Sequence, residues 1–211
     1  MDIHFLVFDR VEELDLVGPW ELIGLLAQRK LCSPQKLVTL NTITPVGEHG
    51  MRFVPDVHYS EAGPADVVLV PGGSGGRIAM EDENVISYLQ DQGRSCKAVL
   101  SVCTGSFLMQ KAGLLNGKCA TTHWSFLDHL KCDSNVTVVE QRFVHDGNIW
   151  TAGGVSAVMD MVLAFIAESF GDSVAADIQL DAEYFPSDRI YGRPFEREDV
   201  SQYIRDLAGR V

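Results

Sequence analysis

Long apolar runs are missing from this sequence. Across its 211 residues none approaches the ~20 needed to span a bilayer, so no membrane partner is expected. Positive charge is scarce too: 17 Lys and Arg stand against 29 Asp and Glu, a formal net charge of −12. Nucleic acid needs a basic patch to displace its counterions, so it is excluded as a partner. A secretory leader is not visible, because Met1-Asp2-Ile3-His4 runs straight into Phe5-Leu6-Val7-Phe8 without a basic start or a cleavage site; a cytoplasmic location is expected. Cysteine is sparse and odd in number. Cys32, Cys96, Cys103, Cys119 and Cys132 contain no CxxC pair, which fits neither a disulfide framework nor a zinc site. The six histidines are scattered with no HExxH, so no metal is expected.

What is present is the material of a globular core: 46% hydrophobic and 22% charged residues. The length fits a single domain over 1–211. Short β-branched runs at 5–8, 37–40, 67–70, 98–102, 136–140 and 149–151 predict strands, several of them apolar on both faces. Segments of helical period fall between them, at about 18–29, 84–92, 105–113, 155–169 and 173–183. Strand–helix alternation of this kind predicts an α/β sandwich with a mainly parallel sheet and helices on both faces, binding its ligand at the carboxyl ends of the strands. The stretch 184–195 reads as an irregular loop leading into a short helix at 196–208.

Four segments carry candidate chemistry. In Ala98-Val99-Leu100-Ser101-Val102-Cys103-Thr104-Gly105-Ser106 an apolar strand ends at a cysteine and small residues open a helix. That is a nucleophile-elbow pattern, in which the helix N-terminus would lower the thiol pKa; the plainer reading is a small buried hydrophobe. The other four cysteines lack this context and read as structural. Asp15, in Leu14-Asp15-Leu16-Val17-Gly18-Pro19-Trp20, either hangs over the same sheet edge or caps the next helix, while Glu12 and Glu13 read as solvated loop charges. Pro71-Gly72-Gly73-Ser74-Gly75-Gly76 follows a strand, and its N–H groups could face a ligand; it matches no nucleotide-phosphate motif. His123, in Ala120-Thr121-Thr122-His123-Trp124, is either a satisfied structural group or part of a site wall.

Taken together these segments resemble the ThiJ/PfpI superfamily, relatives of class I glutamine amidotransferases, from the first strand to about residue 198. Ala112-Gly113-Leu114-Leu115-Asn116-Gly117-Lys118, Thr151-Ala152-Gly153-Gly154 and Glu183-Tyr184 are similar as well. Within that superfamily the chain is most similar to the isonitrile (cyclohexyl-isocyanide) hydratases, which are lyases. The resemblance implies a flavodoxin-like sandwich, a homodimer, no cofactor and a small-molecule electrophile as substrate. It implies Cys103 as nucleophile, Asp15 as acid/base partner, Thr104 as a hydroxyl that steers thiol or substrate, and Gly72 and Gly73 as backbone donors. From the residues themselves, Trp20, Trp124, Phe126 and Tyr184 suggest an apolar pocket or are simply core, and His123 could reach the same site. Peptidase-like members place a histidine directly after the cysteine; here that position is Thr104, which argues against peptide hydrolysis. The sensor domain of AraC-type regulators is a further likeness, but the acidic chain ends without a helix-turn-helix region, so a stand-alone enzyme is expected. Under that resemblance water adds to an isonitrile through a Cys103 thioimidate. The alternatives are a glyoxalase- or deglycase-like activity on 2-oxoaldehydes, or a sensor whose cysteine oxidises without turnover.

Overall fold

A computed structural model of the chain describes residues 1–41, 44–186 and 191–208. Its strands are β1 (Ile3–Val7), β2 (Lys36–Thr39), β3 (Val57–His58), β4 (Val67–Val70), β5 (Ala98–Val102), β6 (Cys119–Ala120), β7 (Thr137–Val138), β8 (Phe143–Asp146) and β9 (Ile149–Ala152). The α-helices are α1 (Glu13–Gln28), α2 (Gly76–Ala79), α3 (Glu83–Ser95), α4 (Gly105–Lys111), α5 (Leu127–Leu130), α6 (Ala157–Phe170), α7 (Asp172–Asp181) and α8 (Gln202–Ala208). Seven strands form one sheet in the order β3-β2-β1-β4-β5-β9-β8, parallel throughout except for β8 against β9. The α/β sandwich expected from the sequence is therefore the observed fold.

Every residue of β1, β4, β5 and β9 is buried. Residues such as Phe5, Leu6, Leu69 and Leu100 can point to either side and still leave water, because helices cover both faces. The connection from β1 through α1 to β2 moves one way along the sheet, whereas those from β4 to β5 and from β5 to β9 move the other way. Right-handed crossovers in opposite directions place their helices on opposite faces. Accordingly α1, α6 and α7 pack on one another, and α2 and α3 pack on α4. Strand order reverses between β1 and β4, which opens a crevice at their carboxyl ends. The segments after Val7, Val70, Val102 and Ala152 all emerge there.

Several elements depart from expectation. Helix α1 starts at Glu13 rather than 18 and carries Pro19 inside it. Gly18-Pro19 looks like a helix start, but Glu13 places an acidic group in an earlier turn, where the helix dipole favours it. Glu13 is no solvated charge: it is buried and accepts hydrogen bonds from the His49 backbone N–H at 2.6 Å and pairs with His49 Nδ1 at 2.8 Å. The predicted strand at 136–140 shrinks to β7, which pairs with β6 outside the main sheet. The last helix occupies Gln202–Ala208, not 196–208; a 3-10 turn at Pro194–Glu196 precedes it, and Val200 turns inward before it begins. Of the predicted loop at 184–195, positions 187–190 lie outside the described residues. Among the described residues no helix is long and apolar enough to cross a membrane.

Candidate active site

Cys103 follows directly on the buried strand β5 and precedes α4, with Thr104 at the helix N-cap. Its φ is +54°, in the left-handed region that non-glycine residues avoid. Surrounding bonds hold it there. The Cys103 N–H donates to the carbonyls of Ala152 at 3.1 Å and Gly153 at 2.9 Å. Its own carbonyl accepts from the Thr122 hydroxyl at 2.9 Å and the Ser106 hydroxyl at 3.2 Å. Small residues make this turn possible: a Cβ on Gly105 would stand 2.3 Å from the Val70 carbonyl oxygen. Thr122 belongs to the segment picked out for His123 and Trp124, and it is the member that touches the elbow. The signal for it was the adjoining pair of threonines, whose small hydroxyl side chains can bond backbone inside a packed turn.

Asp15 comes from the first turn of α1, not from a loop, and its side chain is fully buried. Its Oδ2 accepts the Gly72 N–H at 2.9 Å, while Oδ1 has no partner among the described residues. A Cβ on Gly72 would lie 2.8 Å from Asp15 Oδ2, 2.7 Å from the Thr104 nitrogen and 2.8 Å from the Thr104 hydroxyl oxygen. Only glycine permits that approach, and across it the acid faces the residue joined to Cys103. Gly73 donates its N–H to Thr104 Oγ1 at 3.0 Å. The two glycine N–H groups expected to face a ligand are thus engaged in holding the acid and the hydroxyl. They are positioning groups and not free oxyanion donors.

Electrostatics follow from this burial. Desolvation, opposed by the Gly72 hydrogen bond and aided by the charge of Glu12, raises the Asp15 pKa from the ordinary 3.8 to about 8. Burial, and then the Asp15 carboxylate, push the Cys103 thiol up to about 12, although the Thr104 N–H and hydroxyl favour its thiolate. The expectation of a depressed thiol is overturned here: desolvation and a neighbouring negative charge outweigh the short helix behind it. At neutral pH the resting site is a thiol beside a carboxylic acid, each holding its proton.

The remaining candidates divide. His123 Nδ1 accepts the Ser125 N–H at 3.3 Å and the Ser125 hydroxyl at 2.7 Å, and burial lowers its pKa, so the ring is neutral. That ring covers Gly154, where a Cβ would be 2.3 Å from His123 Cδ2, one residue beyond the carbonyl that receives the Cys103 N–H. Trp124 lines a cleft of about 390 Å³ with Leu127, Glu140, Val200 and Arg205; Cys103 is not part of its lining. Trp20 packs edge to face on Phe5 of β1, ring centroids 5.1 Å apart, as a core aromatic. Glu12, Glu13 and His49 bring ligand atoms within 4.8 Å of one another, but Glu13 is already engaged by His49. All five cysteines are free, and Cys132 is exposed.

Comparison with known proteins gives the family and agrees with the fold. Residues 1–168 match the DJ-1/PfpI family. An isonitrile hydratase from Pseudomonas putida is 36% identical over 187 residues, which cover 89% of this chain and 80% of that protein. The HTH-type transcriptional regulator GbdR of Pseudomonas aeruginosa is 30% identical over 89% of this chain, which spans 51% of the regulator's length. Among solved structures, a ThiJ/PfpI family protein from Pseudomonas syringae superposes with a TM-score of 0.82 at 29% identity, covering 98% of this chain and 84% of that one. From its first strand to its sixth helix, this chain belongs to the DJ-1/PfpI family.

Proposed function

We propose that the chain is an isonitrile hydratase, adding water to an isonitrile to give an N-substituted formamide. The observation that carries this reading is the buried, proton-holding Asp15, whose Oδ1 is unpaired among the described residues and whose carboxyl lies within electrostatic reach of the Cys103 thiol. Because Oδ2 already accepts the Gly72 N–H, the acid's proton belongs on Oδ1, where it is free to be given away. An isonitrile is neutral, carries its lone pair on the terminal carbon, and becomes electrophilic at that carbon once protonated. A neutral acid beside a thiol suits that requirement; a carboxylate with a thiolate does not.

The steps balance without any oxidant or cofactor. Asp15 gives its proton to the isonitrile carbon, and the Cys103 sulfur bonds to the same carbon as its own proton passes to the Asp15 carboxylate. The product is a thioimidate, R–N=CH–S–Cys103. Water then adds to that carbon, the nitrogen gaining a proton by way of Asp15. The C–S bond breaks as the hydroxyl proton returns through Asp15 to sulfur, leaving R–NH–CHO and the resting thiol. Two modest barriers replace one large one, and acid–base help of this kind is worth ~10²–10⁴-fold. Thr104, held by Gly73, steadies sulfur during departure.

A redox-sensing role suits the site less well, since Cys103 is only 9% exposed and oxidation begins from an accessible thiolate. Intact-mass spectrometry during turnover with cyclohexyl isocyanide tests the proposal. A transient gain equal to the whole substrate, lost in Cys103→Ala, is expected. Absence of both adduct and formamide, with turnover of methylglyoxal in a parallel assay, would transfer the site to carbonyl chemistry.

A further inference from the structure

Two glycines follow β9, and each is covered where a Cβ would stand. At Gly154 the cover is the His123 ring; at Gly153 it is the hydroxyl of Tyr203, 2.9 Å from the Cβ position. The Gly153 carbonyl accepts the Cys103 N–H at 2.9 Å. The same Cβ position lies 3.7 Å from the carbonyl oxygen of Thr122, whose hydroxyl holds the Cys103 carbonyl. Tyr203 therefore stands over the few backbone atoms that carry the nucleophile, although it belongs to α8 near the end of the chain.

The phenol is half-buried, and Cys103 is close enough to act on it electrostatically. Burial raises its pKa above the ordinary 10, with Arg142 opposing and the charges of Glu140 and Cys103 reinforcing the rise. It keeps its proton at any working pH. Among the described residues nothing accepts a hydrogen bond from that hydroxyl. A protonated donor over the backbone that holds the nucleophile, and within electrostatic reach of it, is placed to meet something the site receives.

We propose that the Tyr203 hydroxyl donates a hydrogen bond to the substrate-derived nitrogen once the substrate carbon is bonded to Cys103, so that the C-terminal helix α8 completes the site. The identity of the acceptor rests on the isonitrile reading; the position of Tyr203 over Gly153, whose carbonyl holds the Cys103 N–H, does not. In the thioimidate the nitrogen lone pair is exposed, and its basicity rises as water adds to carbon. A fixed donor there strengthens on the way to the transition state, which is the condition for a gain in kcat.

Two measurements separate the inference from the reading beneath it. In Tyr203→Phe, kcat for cyclohexyl isocyanide should fall about 10- to 100-fold with KM changed less than about threefold, since only a transition-state contact is lost. Independently, the protein is labelled with 3-fluorotyrosine, and the resonance of Tyr203 among the 5 tyrosines is assigned by its loss in Tyr203→Phe, or by elimination from the other Tyr→Phe variants. Alkylation of Cys103 with iodoacetamide should shift that resonance, and the same treatment of Cys103→Ala should not. An unmoved resonance, or Tyr203→Phe turnover within twofold of wild type, overturns the proposal. If wild type hydrates no isonitrile while the resonance still responds, the functional reading fails and the placement of Tyr203 stands.

Discussion

Asp15→Asn should stabilise the protein while disabling it, and the two effects have one cause. The carboxyl is fully buried and its pKa sits near 8 instead of 3.8, so between those values the folded state holds a proton that the unfolded chain has released. Stability then falls as pH rises, by about 1.4 kcal/mol per unit, because the native state binds more protons. At pH 7 the accumulated cost is about 4 kcal/mol, a large part of the 5–15 kcal/mol typical of a domain. Above about pH 8 both states are ionised and the cost is full and constant. Asparagine keeps an oxygen for the Gly72 N–H and cannot ionise, so this pH dependence vanishes. Urea unfolding of both proteins from pH 5 to 7.5 reads the difference. The midpoint gap should widen with pH, reaching on the order of 2 M at pH 7 for an m-value near 2 kcal/mol/M. Isonitrile turnover in the same variant should drop by about 10²–10⁴-fold for want of a proton donor. A midpoint gap that stays constant across this range would refute the raised pKa, and a variant keeping more than a tenth of wild-type turnover would refute the acid's role.

The elbow and the hydroxyl beside it give two further outcomes. Since Cys103 has φ +54°, Cys103→Gly should be more stable than Cys103→Ala by about 1 kcal/mol in thermal unfolding although both are inactive; equal stabilities would mean that the turn is unstrained. Thr104 favours the thiolate, so Thr104→Val should move the pH midpoint of Cys103 alkylation upward, and Asp15→Asn should move it downward by removing a neighbouring negative charge. Midpoints unchanged in both variants would show that neither group reaches the sulfur.

The strands buried on both faces were legible in the sequence because nothing else explains runs such as Val67-Val68-Leu69-Val70. Helix α3 was legible through its amphipathic spacing, α4 through the small residues that open it and α6 through its apolar stripe. What escaped was short or set by partners. β3 and β6 have two residues each, too few for alternation to show. β8 does carry a signal in the sequence: Asp146-Gly147-Asn148, with Gly147 at φ +67°, is the tight turn that folds it back on β9. Pro19 misplaced the start of α1 because a proline inside a helix reads locally as a beginning, whereas the burial of Leu16 and the acidic Glu13 at the helix start favour the extra turn.

The site shows where local reasoning stops. Residue types and their place after strands were enough to nominate Cys103, Asp15 and Gly72, since strand ends at a switch point converge whatever the details; Thr104 was named only through the family resemblance. The charge states were not accessible, because desolvation depends on what covers a group and the cover comes from far along the chain. A helix N-terminus predicts a thiolate only while its thiol stays wet. Here Asp15, itself ordered by Gly72, adds an unfavourable charge to a sulfur that is already dry. The glycine N–H groups followed the same logic: a sequence shows that they can bind an anion, but not that an internal carboxyl and hydroxyl occupy them first. Two protonated groups in one buried site suit the neutral substrate proposed above, which must be protonated before it is attacked. That match between charge state and substrate class arises from packing, and so it became readable only when the loops after β1, β4 and β5 were seen together.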